Sequence, residues 1–248
     1  MFEGLVTALL NKFLGPYIKN LDSSQLKLSI FSGNVSLEDL EVKPDALADK
    51  NLPIRVHAGF LHELRLKIPW RSLYTEPTIV VIDGVYLIVG PTTGFKYDAE
   101  TAKKEAREKK QKELEQIEEK KRIEREGKPE EKSDGFVEKM VTQIIKNLQV
   151  TVKNVHIRYE DEVTCPGSPF AIGVTLQEVF AKTVDINWKE AVIKDAVQQI
   201  RKLVGIRNLA AYVETNAQCL AGLPLAEWKD GLTDRIRRNS KSPPDGIL

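Results

Sequence analysis

The residues that could carry out catalysis or bind a metal are few and scattered. His57, His62 and His156 each fall among polar positions of a strand pattern, where a hydrogen-bonded surface histidine is far more common than a metal ligand. The acidic run Glu160-Asp161-Glu162, which follows Arg158, has the groups needed for general acid and base chemistry. No nucleophile or metal-binding set lies near it in sequence, so we interpret it as a solubilising strand end and expect no enzyme.

The common catalytic and nucleotide-binding motifs are absent from the sequence. There is no G-x-S-x-G, no H-E-x-x-H and no glycine-rich dinucleotide loop. The stretch from Gly90 to Lys96 has the wrong glycine spacing for a phosphate-binding loop, and we interpret it as a turn. Cys165 and Cys219 lie far apart with no C-x-x-C pair, so they predict neither a disulfide framework nor a zinc site. We therefore expect no cofactor and no metal.

Charge and hydropathy exclude two further classes of function. With 37 Lys and Arg against 36 Asp and Glu, the chain of 248 residues has a formal charge of +1, too little basic excess for a chain that binds nucleic acid through many phosphates. The N-terminus lacks the pattern of a secretory signal. Purely apolar runs such as 85–89 are far shorter than the roughly 18 residues of a membrane span. We expect a cytoplasmic protein without a transmembrane segment.

The secondary-structure elements that contain the histidines and the acidic run are predicted to be strands, and the strands share one pattern of apolar residues. The spacing apolar-x-apolar-x-x-apolar-x-apolar begins at Val35, Val80, Val150 and Val174, with a weaker copy from Gly59. Period-two alternation on both sides of a one-residue slip indicates either a tight hairpin or one long strand with a bulge. The pairs Glu38-Asp39, His62-Glu63 and Gln177-Glu178 form turns poorly, although Asp83-Gly84 would suit one. Long, bulged, curved strands are therefore favoured.

Polar residues at the alternate positions of these strands predict an antiparallel sheet with one solvent-exposed face and one apolar face. A hairpin at Ser32-Gly33-Asn34 is expected to join Leu26-Leu28-Ile30 to Val35. The residues predicted to point outward to solvent are Lys27, Ser29, Ser36, Glu41, Arg55, His57, Arg65, Lys67, Thr151, His156, Arg158 and Thr175.

Three segments have a helical period with an apolar side. The first begins at Phe2 and is interrupted near Gly15 by Pro16, the second covers 136–145 after Ser133-Asp134, and the third covers 193–204 and ends at Gly205. Residues 98–132 are almost entirely charged, Gln or Ala, which is typical of a solvated helical insertion. The fold class is therefore α+β. Periodicity does not decide whether the helices cover the apolar face of the sheet or leave an open groove there.

Three longer motifs identify a family resemblance. They are 11–17 (NKFLGPY) with 21–26 (LDSSQL), 67–77 (KIPWRSLYTEP), and 141–150 (VTQIIKNLQV) running on to 156–161 (HIRYED). With them, the chain resembles the N-terminal chorein domain of the vacuolar protein sorting thirteen family, the bridge-like lipid-transfer proteins, over about residues 1–215. Family chains are far longer than this one, and the motifs are no longer recognisable after about Gln218.

The resemblance implies a lipid-transfer module that holds glycerolipid acyl chains in a hydrophobic groove and moves them between organelle membranes at contact sites. Its partners would be glycerophospholipids as cargo and the endoplasmic reticulum surface, to which it would bind peripherally. The alternative is a non-enzymatic adaptor or scaffold whose core is fully covered.

The resemblance also implies a division of the chain. We expect a capping amphipathic helix at 1–22, the first half of the groove sheet at 23–97, the charged insertion at 98–132, the second half with helices at 133–215, and a C-terminal segment of undefined structure at 216–248. The predicted cap or membrane-contacting residues are Phe2, Leu5, Leu9 and Phe13. The predicted lipid-groove residues are Leu26, Leu28, Ile30, Val35, Leu37, Leu40, Val42, Ile54, Val56, Leu64, Leu66, Ile68, Val80, Ile82, Val85, Leu87, Val150, Val152, Val155, Ile157, Ile172, Val174, Leu176 and Val179.

Overall fold

The computed structural model describes two compact units of the chain. One comprises Met1–Pro91 with Gln143–Leu248, and the other comprises Thr92–Thr142. The described residues are 7, 10–11, 14–19, 21, 33–48, 52–92, 103–104, 107–108, 110–111, 114–115, 118, 132–194 and 199–239, with the backbone alone at 132–138, 235 and 237–239.

The first unit is built on one open sheet of six strands arranged in chain order. The strands are β1 (Asn34–Glu41), β2 (Ile54–Lys67), β3 (Thr78–Pro91), β4 (Leu148–Asp161), β5 (Phe170–Val184) and β6 (Arg201–Thr215). Neighbours are antiparallel except β3 and β4, which are parallel. The prediction of a wholly antiparallel sheet is therefore wrong at this pair. The long connection between β3 and β4, which holds the second unit, supplies the crossover that a parallel pair needs.

Each strand continues through its spacing slip, which confirms long strands over hairpins. The ladders skip one residue in every strand, and the skipped residues lie opposite one another across the sheet. We call this set the kink row. It consists of Asp39, His62, Gly84, Asn154, Gln177 and Asn208.

The kink row differs from the predicted bulges in one respect. A bulge places two residues of one strand against one of its partner and so shifts the register. Here the register is the same on both sides of the row because all six strands slip together. Asp39, Asn154 and Asn208 adopt positive φ angles of 53°, 52° and 49°, and Gly84 one of 74°. Asn, Asp and Gly are the residues that enter this left-handed region at lowest cost. A true register shift occurs elsewhere, at His57, between Val56 and Ala58 of β2.

Helix α1 (Lys132–Lys146) lies between β3 and β4 in the chain, and helix α2 (Leu225–Asn239) follows β6. The first confirms the helix predicted around 136–145. At the N-terminus the last helical residue is Leu14, and a turn at Gly15–Tyr17 follows, as Pro16 predicted. Most of the first predicted helix, most of the predicted charged insertion and the predicted hairpin arm at 26–30 lie outside the described residues. In the part of the chain that is described, no helix has both the length and the apolar character to cross a bilayer.

The third predicted helix is wrong, because residues 201–215 form β6. Short apolar runs fit the helical and the strand period about equally well. Gly205 lies inside this strand instead of ending a helix. A Cβ at Gly205 would come within 2.3 Å of the Phe180 ring, so the glycine lets that ring pack across β6.

Helix α2 covers part of the sheet face that was predicted to be exposed. Trp228, Leu232 and Ile236 of α2 pack with Tyr86 and Ile88 of β3 in one buried cluster, to which Phe60 also belongs. Of the predicted outward residues, His156, Arg158 and Thr175 are consequently buried. We call this side of the sheet the helix face. Ser36, Glu41, Arg65 and Lys67 on the same side remain exposed.

The kink row predicts a difference between two glycine substitutions. Gly84 and Gly167 both have positive φ, but a Cβ at Gly84 would lie 2.6 Å from the His62 Cβ, whereas nothing lies within 4 Å at Gly167. We expect Gly167→Ala to cost about 1 kcal/mol from backbone strain alone. Gly84→Ala is expected to cost about 2–4 kcal/mol because a clash is added. Urea unfolding of both variants measures this, and equal losses would contradict the aligned kink.

Candidate functional site

The candidate site is the side of the sheet opposite α2, which we call the apolar face. The ladder aligns the predicted groove residues in rows that cross the whole sheet. One row is Leu37, Leu64, Ile82, Val152, Val179 and Ile206. The next, beyond the kink row, is Leu40, Leu61, Val85, Val155, Leu176 and Leu209. A third row contains Val35, Leu66, Val80 and Val150. A fourth contains Leu87, Ile157 and Val174.

The remaining predicted groove residues lie at the margins of these rows or outside the described residues. Val56 and Ile172 belong to rows near one end of the strands, where Ile54 begins β2. Val42 follows β1 and forms an isolated bridge with Ile18. Ile68 follows β2 and is buried. Leu26, Leu28 and Ile30 of the groove set, and Phe2, Leu5, Leu9 and Phe13 of the cap set, lie outside the described residues.

Exposure on the apolar face rises steadily from the first strands to the last. Leu37 and Leu64 on β1 and β2 are only 2% and 3% exposed. Ile157 on β4 and Val174 on β5 are 39% and 41% exposed. On β6, the values for Val204, Ile206, Leu209 and Val213 run from 59% to 68%. Large apolar side chains exposed together on one surface are typical of a binding surface, because a monomer gains no stability from them.

The β6 residues are the part of the candidate site that the sequence reasoning missed. Val204, Ile206, Leu209 and Ala211 repeat the same apolar-x-apolar-x-x-apolar-x-apolar spacing as the other strands. That signal was hidden because Ile200, Leu203 and Val204 also fit a helical period. Leu61 and Val89 on the inner strands were missed as well.

One end of the apolar face is closed by the connection between β1 and β2. Ala46 in this connection forms a buried cluster with Val56 and Val89. Leu47, Val42, Leu87 and Tyr159 pack around it. The predicted groove residues Val42, Ile54 and Val56 therefore contribute to a packed end of the face, and the exposed apolar surface belongs to the later strands.

Asp161 anchors the strand end next to this packed region. Its carboxylate accepts hydrogen bonds from the Tyr159 hydroxyl at 2.8 Å, the Val163 and Thr164 backbone N–H groups at 2.9 and 2.8 Å, and the Thr164 hydroxyl at 2.6 Å. Burial alone would raise the pKa of Asp161, but these donors outweigh it and lower the pKa to about 2. Burial, together with the bond to Asp161, raises the pKa of Tyr159 to about 12.

Arg158 and Glu160 form the centre of a polar network on the helix face. Arg158 Nε donates to Glu160 at 2.7 Å, and its Nη1 donates to Glu214 at 2.7 Å and to the Tyr212 hydroxyl at 3.2 Å. Its Nη2 donates to the Gln218 carbonyl at 3.1 Å. The side chains of Arg158 and Glu160 are only 5% and 4% exposed. The interpretation of the acidic run as a solubilising strand end is therefore wrong for Glu160 and Asp161, because both carboxylates are buried hydrogen-bond acceptors.

The same network holds α2 and the segment before it. Glu160 accepts hydrogen bonds from the Leu220 and Ala221 backbone N–H groups. His156 Nδ1 lies 2.9 Å from the Leu232 carbonyl oxygen and its Nε2 lies 2.8 Å from the Tyr212 hydroxyl. A carbonyl only accepts, so Nδ1 carries the proton. His156 is fully buried and not the surface histidine that was predicted.

The helix face is poorly suited to an apolar ligand. A cavity of about 300 Å³ beside α2 is lined by His156, Arg158, Glu214, Asp234 and other residues, most of them polar. Placing an acyl chain there would remove solvent from charged groups without compensation. Among the described residues, no group of three or more His, Cys, Asp or Glu side chains is arranged to hold a metal. The chemistry that this molecule supports best is contact with an apolar ligand on the apolar face.

The lowered pKa of Asp161 predicts a pH-dependent contribution to stability. Because the folded pKa of about 2 lies below the ordinary value of 3.8, the contribution is present above about pH 4 and is lost as the pH falls towards 2. Asp161→Asn should lower the free energy of unfolding by about 2 kcal/mol at pH 7. Its deficit relative to the parent should shrink between pH 4 and pH 2.

Urea unfolding at several pH values measures this deficit. Tyr159→Phe removes one donor and keeps the ring, so a smaller loss of about 1 kcal/mol is expected. A deficit for Asp161→Asn that does not change over this pH range would contradict the role assigned to the carboxylate.

Comparison with known proteins places these features in a family. The family model described as the VPS13-like family N-terminal region matches residues 1–245. The chain is 41% identical over 220 residues to the mouse protein named intermembrane lipid transfer protein VPS13A, a match covering 88% of this chain and 7% of that protein. It is 36% identical over 290 residues to human intermembrane lipid transfer protein VPS13C, covering 99% of this chain and 8% of that protein.

A relative from Chaetomium thermophilum matches this chain to a similar extent. Identity to the Chaetomium thermophilum intermembrane lipid transfer protein VPS13 is 40% over 223 residues, which covers 89% of this chain and 7% of that protein. The chain thus spans less than a tenth of the length of these curated relatives. With a family match over nearly its whole length, the chain belongs to the VPS13-like family and corresponds to its N-terminal region.

Proposed function

We propose that this chain is a non-enzymatic lipid-binding module that holds acyl chains on the apolar face. The observation that carries the proposal is the exposure of the outer strands. On β6, Ile206 and Leu209 are 60% and 61% exposed, and they continue rows whose inner members are apolar on every strand. The names of the relatives, intermembrane lipid transfer proteins, support lipid as the ligand.

The physical basis is the cost of exposing acyl chains to water. Two chains of about 15 methylene groups each, at about 0.8 kcal/mol per group, would cost about 24 kcal/mol if fully exposed. A protein that moves such a lipid through water must replace most of that exposure with apolar contact. The exposed part of the apolar face, on β4 to β6, offers this contact.

The dimensions of the sheet fit this ligand. Five gaps of about 4.8 Å separate the six strands, so the face is about 24 Å wide. One leaflet of a bilayer has a hydrocarbon layer of about 15 Å. The exposed strands β4 to β6 have 14 or 15 residues each, about 46 Å at about 3.3 Å per residue, so an acyl chain can lie along them. The packed end at Ala46 limits the ligand on one side.

The finer parts of the proposal follow from the family. We propose glycerophospholipids as the cargo, transfer between organelle membranes at contact sites, and a peripheral association with the endoplasmic reticulum. Because the chain spans only 7% to 8% of these relatives, its own part in transfer is to bind lipid at one end of a longer path. A scaffold with a covered core is the alternative, and it requires a further segment or partner over β4 to β6.

Leu209 and Leu203 provide a matched test of which face binds lipid. Both are exposed leucines of β6, but Leu209 belongs to the apolar face and Leu203 to the opposite side. Leu209→Glu should reduce copurified glycerolipid at least tenfold, because a charge against an acyl chain costs several kcal/mol. Leu203→Glu should keep the lipid of the parent. Both variants should unfold within about 0.5 kcal/mol of the parent, since both sites are on the surface.

Denaturing extraction with mass spectrometry measures the glycerolipid bound per protein. Absence of glycerolipid from the parent chain would favour the scaffold alternative. Equal retention in Leu209→Glu and Leu203→Glu would mean that the ligand does not lie on the apolar face.

A further inference from the structure

The turn after β5 presents two large apolar side chains to solvent. Ile186 is 72% exposed and Trp188 is 62% exposed, the first being the highest value among the large apolar residues described. The other two tryptophans differ, since Trp228 is 3% exposed and Trp70 is partly buried. An exposed tryptophan on a projecting turn contributes nothing to the core and indicates contact with something else.

Hydrogen bonds fix the backbone of this turn. Asp185 Oδ1 accepts hydrogen bonds from the backbone N–H groups of Asn187 at 2.8 Å and Lys189 at 2.9 Å. The Asp185 backbone closes the turn with two further bonds, from its N–H to the Lys189 carbonyl and from the Trp188 N–H to its own carbonyl. Trp188 itself adopts a φ of 61°. A preformed turn loses little conformational entropy when its tip binds, which favours association.

Other exposed apolar residues lie along the same edge of the sheet. The edge consists of the ends of strands β2 and β5 and the beginnings of β1, β3, β4 and β6. Tyr74 before β3 is 54% exposed, and Ile145 before β4 is 56% exposed. Their segments are joined to the turn by Gln143, whose amide donates to the Ile193 carbonyl at 2.8 Å and to the Leu73 carbonyl at 3.4 Å.

The charges on this edge favour an anionic partner. Arg71, Lys189 and Lys194 are exposed. Of the acids in the same segments, Glu190 is paired with Lys182 and Asp185 is engaged in the turn. Glu76 is exposed. Exposed cations beside an exposed tryptophan and isoleucine are the composition that binds the interface of an anionic bilayer.

We propose that this edge, led by Ile186 and Trp188, contacts the headgroup region of an anionic membrane. A lipid surface fits better than a protein partner, because two projecting side chains cannot supply the roughly 1,000 Å² of a stable protein interface. The indole ring combines an apolar body with one N–H donor and is therefore stable at the boundary between headgroups and acyl chains. The proposal deepens the proposed function by naming the surface that meets the membrane, and it is separate from lipid binding on the apolar face.

Tryptophan fluorescence gives a direct test. The purified chain is mixed with vesicles of phosphatidylcholine, with and without phosphatidylserine, some carrying brominated acyl chains. The emission of Trp188, obtained as the difference between the parent and Trp188→Phe, should shift to the blue and be quenched by bromine, more strongly with phosphatidylserine. Difference emission that stays unshifted and unquenched would overturn the proposal.

Variants then test whether the turn contributes to binding. Ile186→Ser with Trp188→Ser should weaken vesicle flotation about tenfold or more, because two apolar side chains lose their burial. Val163→Ser is the control, since Val163 is 58% exposed on the turn between β4 and β5, at the opposite ends of the strands. It should bind like the parent. Equal binding by the double variant, or an equal loss in the control, would overturn the proposal.

Lipid loading separates this proposal from the proposed function. The double variant should retain the copurified glycerolipid and the melting temperature of the parent. The variant Leu209→Glu should show the reverse, with lost glycerolipid and unchanged quenching of Trp188. Quenching that disappears in Leu209→Glu would mean that Trp188 senses cargo on the apolar face and not a bilayer.

Discussion

The apolar face depends on all six strands skipping one residue of the ladder at the same level. Side chains alternate strictly along a strand, so an apolar stripe continues past a one-residue slip only where the backbone absorbs the extra residue. Without the kink at Asn154, β4 would place His156 and Arg158 on the apolar face and Val155 and Ile157 beneath α2. Because every strand carries the kink, the ladder keeps its register and the rows stay apolar from β1 to β6.

On the helix face, by contrast, several polar residues are buried and hydrogen-bonded. Buried polar groups must be hydrogen-bonded, and Arg158, Glu160 and His156 meet this requirement by holding Tyr212, the Leu220 backbone and the Leu232 carbonyl. These contacts, together with the packing of Trp228 and Leu232, attach α2 to one side of the sheet only. One face is thus covered by a helix of the same chain, whereas the outer strands of the other face are exposed.

Local patterns predicted the parts of the fold that depend on near neighbours in sequence. The alternation within β1 to β5 predicted which side chains share a face, and Gln177-Glu178 argued correctly against a hairpin. Pro16 predicted the end of the first helix at Leu14. Features that depend on residues far apart in the chain could not be predicted from local patterns. The parallel pairing of β3 with β4 depends on the path of the residues between them, and the burial of His156 depends on α2, which follows it by about 70 residues.

The sequence by itself determined the apolar rows, because strand alternation and the conformational preferences of Asp39, Gly84 and Asn154 act within a few residues. Only the tertiary structure decided which apolar residues are exposed. Leu64 and Leu209 follow the same pattern, but Leu64 is buried within β2 and Leu209 lies open on the edge strand β6. Burial is a property of what packs on a residue from elsewhere in the chain, and hydrophobic periodicity carries no information about that packing.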